Sequence, residues 1–136
     1  MAEAQSGYDI VYDSARRLLR LTLFGMWDLA TLDAYRAAID ATLMPISKDG
    51  VLAPDIGFIV DLREHAVQPK DVADALSRMV EEHDAANPNA VIMSSSALQN
   101  IQAKRISTSM HRRAVFTDEA AALDWITAEQ AKIRSA

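Results

Sequence analysis

The sequence has no cysteine, which excludes a disulfide framework, a thiolate metal site and a cysteine nucleophile. Its four glycines are scattered along the chain and form no phosphate-binding loop. No apolar run approaches the roughly 20 residues of a transmembrane helix. Acidic residues outnumber basic ones by 19 to 14, and the net charge of −5 disfavours general affinity for nucleic acid. Function must therefore be sought in residues that the fold brings together.

What the chain does contain is typical of one soluble globular domain. Hydrophobic residues fill 50% of the 136 positions and charged residues 24%, close to the ordinary composition of such domains. A chain of this length can bury roughly two thirds of its surface around one core. The segment Met1–Gly7 is small, polar and acidic and lacks the features of a signal peptide. We expect a cytoplasmic protein with a flexible tail over residues 1–7 and one domain over residues 8–134.

The pattern of apolar residues predicts five strands. Residues 8–12 and 18–24 flank a short polar turn, which favours an antiparallel hairpin. The later apolar runs at 57–62, 90–93 and 113–116 favour short buried strands. Helices are predicted from Asp28 or Thr31 to Leu43, from Pro69 to His83, from Ser94–Ser96 through Ile101, and after residues 117–119. The order ββαβαβαβα predicts an α/β fold with a five-stranded, mixed but mostly parallel sheet and about four helices.

Three segments carry a resemblance to known proteins. Gly25–Asp28 stands between a strand and a helix, and Phe58–Arg63 contains a central strand with an Asp-Leu pair near its end. Arg113–Trp125 combines phenylalanine, acidic residues, alanine and tryptophan. In this order the segments resemble the SpoIIAA-like family, which is close to the STAS and Sec14-type domains. The match covers roughly residues 8–130 and implies one superhelical run of β–α units around a mixed sheet.

The resemblance also implies a function. Better-known members of the family are antagonists of anti-sigma factors, in which a partner kinase phosphorylates a serine in a turn at a helix start. That turn falls on Pro69–Val72, which contains no hydroxyl group and no glycine, so we expect no phosphoswitch there. We expect a non-enzymatic, bacterial-type interaction or regulatory module without a cofactor. The alternative is a Sec14-type binder of a small apolar or amphipathic ligand.

Polar residues at the carboxyl ends of the predicted strands form a candidate ligand site. Ligands of open α/β sheets tend to bind beyond these ends, near helix N-termini that suit anions. The candidates are Asp61, Arg63 and His65 after the third strand and Ser94, Ser95 and Ser96 after the fourth. The alternative is that Ser96 caps a helix, that Asp61 accepts loop N–H bonds and that Arg63 is solvated.

Three further expectations concern Trp27, a possible hydrolase triad and the histidines. Trp27 lies in a strand-to-helix turn, where it is expected to be half exposed and either to bind a ligand or to cover the end of the core. An arrangement of Ser94, His65 and Asp61 would resemble a hydrolase triad, although the sequence lacks a nucleophile elbow. No metal site is expected, because the three histidines stand far apart at 65, 83 and 111.

The loop from Met44 to Ile56 is unusually apolar. Its exposed members would cost free energy in water, since burying each fully is worth roughly 1.5–3 kcal/mol. They can fold back onto the core, close over an apolar ligand, or form a symmetric contact with a second copy. We predict a homodimer whose interface includes Met44, Ile46, Val51 and Leu52.

Overall fold

The computed structural model describes residues 6–66, 68–82, 87–94 and 113–135, in which five strands and three α-helices occur. The elements are β1 (Gly7–Asp13), β2 (Leu18–Gly25), α1 (Leu29–Leu43), β3 (Gly57–His65), α2 (Lys70–Glu82), β4 (Asn89–Ile92), β5 (Arg113–Phe116) and α3 (Glu119–Ser135). This order confirms the predicted α/β class. The helix predicted between β4 and β5 lies outside the described residues. β1 begins at Gly7, the last residue of the predicted tail.

The five strands form one sheet in the order β1-β2-β3-β4-β5. β1 pairs antiparallel with β2, and every other neighbouring pair is parallel. The mixed, mostly parallel sheet and the initial hairpin were therefore predicted correctly. Among the helices that the structure describes, none is long and apolar enough to cross a bilayer.

Successive side chains of the strands supply two cores, one on each face of the sheet. On one face, alternate leucines of β2 pack with α1 and α2; the buried residues there are Leu19, Leu21, Leu23, Trp27, Leu32, Tyr35 and Val72. On the opposite face, α3 covers the sheet; the buried residues are Leu18, Ile59, Ala90, Ile92, Ala122 and Ile126. α1 and α2 thus lie on one face and α3 on the other.

A β-bulge interrupts the pairing of β2 with β3. Thr22 lies opposite Asp61, but Phe24 lies opposite Glu64, so β3 holds one extra residue between these pairs. A bulge of this kind resets the alternation of side chains along a strand. β3 also continues to His65, three residues beyond its predicted end. Arg63 and His65 therefore belong to the strand and not to a loop after it.

Capping residues fix the helix starts. The Asp28 carboxylate caps α1 by accepting hydrogen bonds of 2.8 Å from the backbone N–H and the hydroxyl of Thr31. At α3, the Asp118 carboxylate accepts from the backbone N–H of Ala121 at 3.0 Å. Pro69 directly precedes α2 and accepts from the N–H of Ala73 through its carbonyl at 2.9 Å. Its place one residue before the helix differs little from the predicted first position.

The apolar loop after α1 is divided between core and surface. It contains a short 3-10 helix, Met44–Ile46, and a tight turn in which Asp49 and Gly50 both have positive φ. Its end is anchored, because the Asn87 amide donates to the carbonyls of Ala53 and Ile56 at 2.9 and 3.0 Å. The side chains at 46 and 52 are half-buried, whereas Met44 and Val51 are 73% and 68% exposed. Part of the loop thus folds back, and a smaller apolar surface faces solvent.

Candidate functional site at the carboxyl edge of the sheet

Two turns meet at the carboxyl edge of β2 and β3 and are joined by one buried amide. The Gln68 side chain accepts from the backbone N–H of Trp27 at 2.7 Å and donates to the carbonyls of Gly25 and Ala66 at 3.1 and 2.6 Å. The N–H of Ala66 also donates to the Gly25 carbonyl at 3.2 Å. Gln68 is buried, so these bonds are shielded from water. They hold the β2–α1 turn and the start of the β3–α2 connection in a fixed relation.

Trp27 is not the half-exposed residue that its position in the turn suggested. It is only 2% exposed and belongs to the core beneath α1. Its indole N–H donates to the carbonyls of Gly7 and Phe24 at 3.1 and 3.2 Å, which satisfies the polar end of the ring inside the protein. Tyr8 and Tyr35 pack on it with centroid distances of 6.0 and 5.0 Å. Trp27 is therefore a buried core residue next to this edge of the sheet.

His65 packs against the same indole. The two ring centroids are 5.0 Å apart in an edge-on arrangement. The His65 Nε2 is buried and has no hydrogen-bond partner among the described residues. Burial lowers the pKa of His65 from 6.5 to about 4, because a charged imidazole would lose its hydration there. The ring is therefore neutral at pH 7.

On the other face of the sheet, four charged side chains form an ion-pair cluster. Arg63 donates two hydrogen bonds to the buried carboxylate of Asp61, from Nε at 3.0 Å and from a terminal nitrogen at 2.8 Å. Arg20 of β2 reaches the same carboxylate at 3.4 Å, and both arginines pair with Glu119 at the start of α3. Burial alone would raise the pKa of Asp61, but the hydrogen bonds and charges of Arg63 and Arg20 hold it below its usual value.

The predicted ligand site therefore divides between the two faces. Asp61 and Arg63 lie with α3, while His65 and Trp27 lie with α1, so Asp61 cannot orient His65 as a hydrolase triad requires. Arg63 is ion-paired with Asp61. The alternative to a ligand site had predicted that the Arg63 side chain is solvated. Ser94 is half-buried at the end of β4. Ser95, Ser96, His83 and His111 lie outside the described residues.

The described part of the chain contains no cluster of three His, Asp or Glu side chains that could hold a metal ion. The start of α2, where the phosphoacceptor turn was placed, carries Pro69, Lys70 and Asp71 and has no hydroxyl group. Besides charged residues such as Glu64 and Lys70, the edge exposes apolar side chains to solvent. Met26 is 59% exposed and Leu29 46% exposed, and Ala66 and Pro69 beside them are also exposed. We call these four residues the edge patch.

Sequence reasoning missed the residues that organise this edge. Gln68 carries no signal in the sequence, because two of its three partners, Trp27 and Gly25, lie 41 and 43 positions away. Arg20 and Glu119 are brought to Asp61 by sheet pairing and by the position of α3. Met26 gives a partial signal, since it is a large apolar residue in the turn before the helix cap Asp28. Leu29 falls at helical spacing with Leu32 and Tyr35, which predicts a residue on the buried stripe of α1, but it is 46% exposed.

Comparison with solved structures identifies the fold. An uncharacterised protein of the DUF3478 family with a SpoIIAA-like fold, from Shewanella loihica PV-4, superposes with a TM-score of 0.71 at 18% identity; the match covers 93% of this chain and 98% of the other. An anti-sigma factor antagonist from Mycobacterium paratuberculosis gives a TM-score of 0.62 at 14% identity, covering 92% and 98% of the two chains. No family model and no curated protein matches the sequence. The chain thus has the predicted SpoIIAA-like fold.

Proposed function

We propose that this chain is a non-enzymatic interaction module that binds a protein partner through the edge patch. The observation that carries the proposal is the exposure of Met26, in the turn that the buried Gln68 amide fixes, and of Leu29, at the start of α1 directly after that turn. Because the backbone that carries these apolar side chains is already fixed, a partner that covers them has less chain to order, which favours binding. The fold is shared with an anti-sigma factor antagonist, a kind of protein that acts through other proteins.

The chemistry of the edge supports binding better than catalysis. The Asp61 carboxylate is saturated by two arginines and has a lowered pKa, so it is a weak base. His65 is neutral at pH 7 and packs edge-on against Trp27. The two groups lie on opposite faces of the sheet, where they cannot share a proton with one substrate. We therefore propose that neither residue is catalytic.

Regulation of this surface does not require phosphorylation in the connection to α2. Residues 66–76 contain neither serine nor threonine. The charged side chains Lys70 and Asp74, which pair at 2.7 Å, lie at the start of α2 beside the patch. We propose that binding is constitutive and is controlled by the supply of the partner.

Affinity capture with matched variants tests the proposal. The wild type, Met26→Asp/Leu29→Asp and Val11→Asp are immobilised and exposed to an extract of cells that produce the protein. Val11 is the control, because it is 60% exposed on the opposite face of the hairpin. We expect a set of proteins retained by the wild type and Val11→Asp but lost from the edge variant. Equal retention by all three, or uptake of a fluorescent fatty acid in place of protein, contradicts the proposal.

A further inference from the structure

The edge patch contains an exposed thioether. Met26 is 59% exposed, whereas Met93 is 2% exposed and Met79 is half-buried. The sequence has no cysteine, so no thiol of this chain competes with the methionines for an oxidant. Among the described methionines, only Met44, at 73%, is as exposed as Met26. Met26 and Met44 are therefore the two methionines in the described ranges that a dissolved oxidant reaches most readily.

The turn holds Met26 at the surface, because both of its chain neighbours are anchored. The Gly25 carbonyl accepts hydrogen bonds from the Gln68 amide at 3.1 Å and from the Ala66 N–H at 3.2 Å. The Trp27 N–H donates to Gln68 at 2.7 Å, and the Trp27 ring is buried in the core. With the backbone fixed on either side, Met26 cannot be withdrawn from water by a small shift of the turn.

The same hydrogen bonds leave the patch with few donors. The N–H groups of Trp27 and Ala66 are already used within the chain. Pro69 has no N–H, and the side chains of Leu29, Ala66 and Pro69 carry no polar atom. A thioether tolerates such surroundings, because its sulfur is only a weak acceptor. A strongly polar oxygen on this sulfur would lose its hydrogen bonds to water under a partner, and these groups could not replace them.

We propose that Met26 is a site of reversible oxidation by hydrogen peroxide, and that its sulfoxide prevents binding of the protein partner at the edge patch. This control rests on the proposed function, because it acts on the same partner. The reduced protein binds constitutively, and oxidation turns an apolar contact into a polar one.

The chemistry requires only peroxide. A lone pair of the Met26 sulfur attacks one peroxide oxygen, so that an S–O bond forms and the O–O bond breaks. The sulfur loses two electrons, and the other oxygen leaves as water after it takes up the proton of the transferred oxygen. A methionine sulfoxide reductase reverses the step, in which two thiols are oxidised to a disulfide and the sulfoxide oxygen leaves as water.

Peroxide treatment of matched variants tests the inference. The wild type, Met26→Leu and Met44→Leu are treated with hydrogen peroxide, freed of it, immobilised, and exposed to an extract of cells that produce the protein. Peptide mass spectrometry shows which sulfurs have gained an oxygen, and circular dichroism shows that each treated protein is folded. The readout is the retained amount of those proteins that the wild type captures and Met26→Asp/Leu29→Asp does not. For each variant it is divided by the amount before treatment, so that the effect of the substitution itself cancels.

We expect this ratio to fall about tenfold in the wild type and in Met44→Leu, a difference of about 1.4 kcal/mol, because a covered sulfoxide oxygen lacks its hydrogen bonds. In Met26→Leu the ratio should not fall, since leucine has no sulfur to oxidise. The two reductases that act on the two sulfoxide epimers, supplied with a thiol, should restore capture by oxidised Met44→Leu.

Four results overturn the inference: Met26 stays unoxidised while Met44 is oxidised, the ratio is unchanged in the oxidised wild type, it falls equally in Met26→Leu, or the reductases fail to restore capture. If any of these occurs while Met26→Asp/Leu29→Asp still loses its captured proteins, the proposed function stands and only its control by oxidation is wrong. If Met26→Asp/Leu29→Asp retains the same proteins as the wild type, both proposals fail.

Discussion

At the scale of single residues, Gln68 has the largest influence on the edge. Its buried amide uses its oxygen and its nitrogen on three backbone groups in two separate turns. A backbone N–H or carbonyl that loses such a partner inside the protein costs about 1–3 kcal/mol. The side chain therefore contributes both to stability and to the position of Met26.

Replacement of this amide should separate the two contributions. We expect Gln68→Leu to lower the free energy of unfolding by about 2–4 kcal/mol, because the Trp27 N–H and the Ala66 carbonyl lose their side-chain partner and the Gly25 carbonyl keeps only the Ala66 N–H. Gln130→Leu is the control, since Gln130 is also buried and donates to carbonyls, but at the opposite edge of the sheet. Urea unfolding should show a loss in both variants, whereas only Gln68→Leu should shift the NMR signals of Met26 and Leu29. A Met26 signal that is unchanged in Gln68→Leu would disprove the role of the amide.

His65 gives the protein a pH-dependent stability. Its pKa is about 4 in the folded protein and 6.5 ordinarily. Between these pH values the unfolded chain binds a proton on this ring that the folded chain does not. The contribution of the neutral ring is therefore complete above pH 6.5 and declines as the pH falls toward 4, by at most about 1.4 kcal/mol per pH unit. Carboxylates whose pKa is lowered by folding, such as Asp61, reduce the stability only when the pH falls to about 3.8 and below.

The variant His65→Phe tests this assignment. A phenyl ring keeps the packing on Trp27 but has no proton to bind. We expect the wild type to lose stability between about pH 6.5 and pH 5, and we expect this slope to be smaller in His65→Phe. Urea unfolding followed by the fluorescence of Trp27 and Trp125 measures both curves. Parallel curves would show that another group titrates in this range.

At the scale of secondary-structure elements, β3 explains why Asp61 and His65 lie on opposite faces of the sheet. Periodicity identified its buried core, residues 57–62, because a central strand is apolar on both faces. It gave no sign of the bulge, since the extra residue is defined only by the pairing with β2. One additional residue turns His65 to the face opposite Asp61. The caps Asp28 and Asp118 were predictable because their partners lie three residues away.

The start of β3 also fixes how closely α3 can pack. A Cβ atom at Gly57 would lie 2.8 Å from the Cγ2 atom of Ile126, well inside contact distance. We expect Gly57→Ala to destabilise the protein by about 1–3 kcal/mol through overpacking. In a double-mutant cycle with Ile126→Ala, the double variant should lose less than the sum of the single losses, because the colliding atoms are gone.

Gly50→Ala is the control for this cycle. Gly50 has a φ of 75°, and a Cβ atom added there would meet no other atom within 4 Å, so its replacement strains the backbone without a collision. Its loss of stability should add to that of Ile126→Ala. Additive losses in the Gly57 cycle, measured by urea unfolding, would mean that the contact with Ile126 does not limit packing.

At the scale of the whole molecule, a second apolar surface lies at the other end of α1. We propose that Met44 and Val51 contribute to a homodimer, together with the half-buried Ile46 and Leu52 of the same loop. Met44→Asp/Val51→Asp is the informative variant, because both positions are exposed and the substitutions spare the core. Sedimentation at high micromolar concentration should show a dimeric wild type and a monomeric variant, with Val11→Asp still dimeric. A monomeric wild type would contradict the dimer.

The sequence predicted the whole-molecule organisation better than the site. The order of elements and the parallel pairing follow from local apolar periodicity and from the chirality of β–α–β units. The SpoIIAA-like fold was predicted from the resemblance of three segments to that family. The edge patch depends on contacts between distant segments, chiefly those of Gln68 with Gly25 and Trp27. Such contacts have no local pattern, so the surface became visible only in the folded chain.

The most direct test of the interaction surface is photo-crosslinking in cells that produce the protein. A benzophenone side chain is placed at Met26 in one variant and at Val11 in another, since the two positions are almost equally exposed, at 59% and 60%. The account predicts discrete adducts with one or a few proteins from position 26, and none of these from position 11. Identical adducts from both positions, or no adduct from position 26, would contradict it.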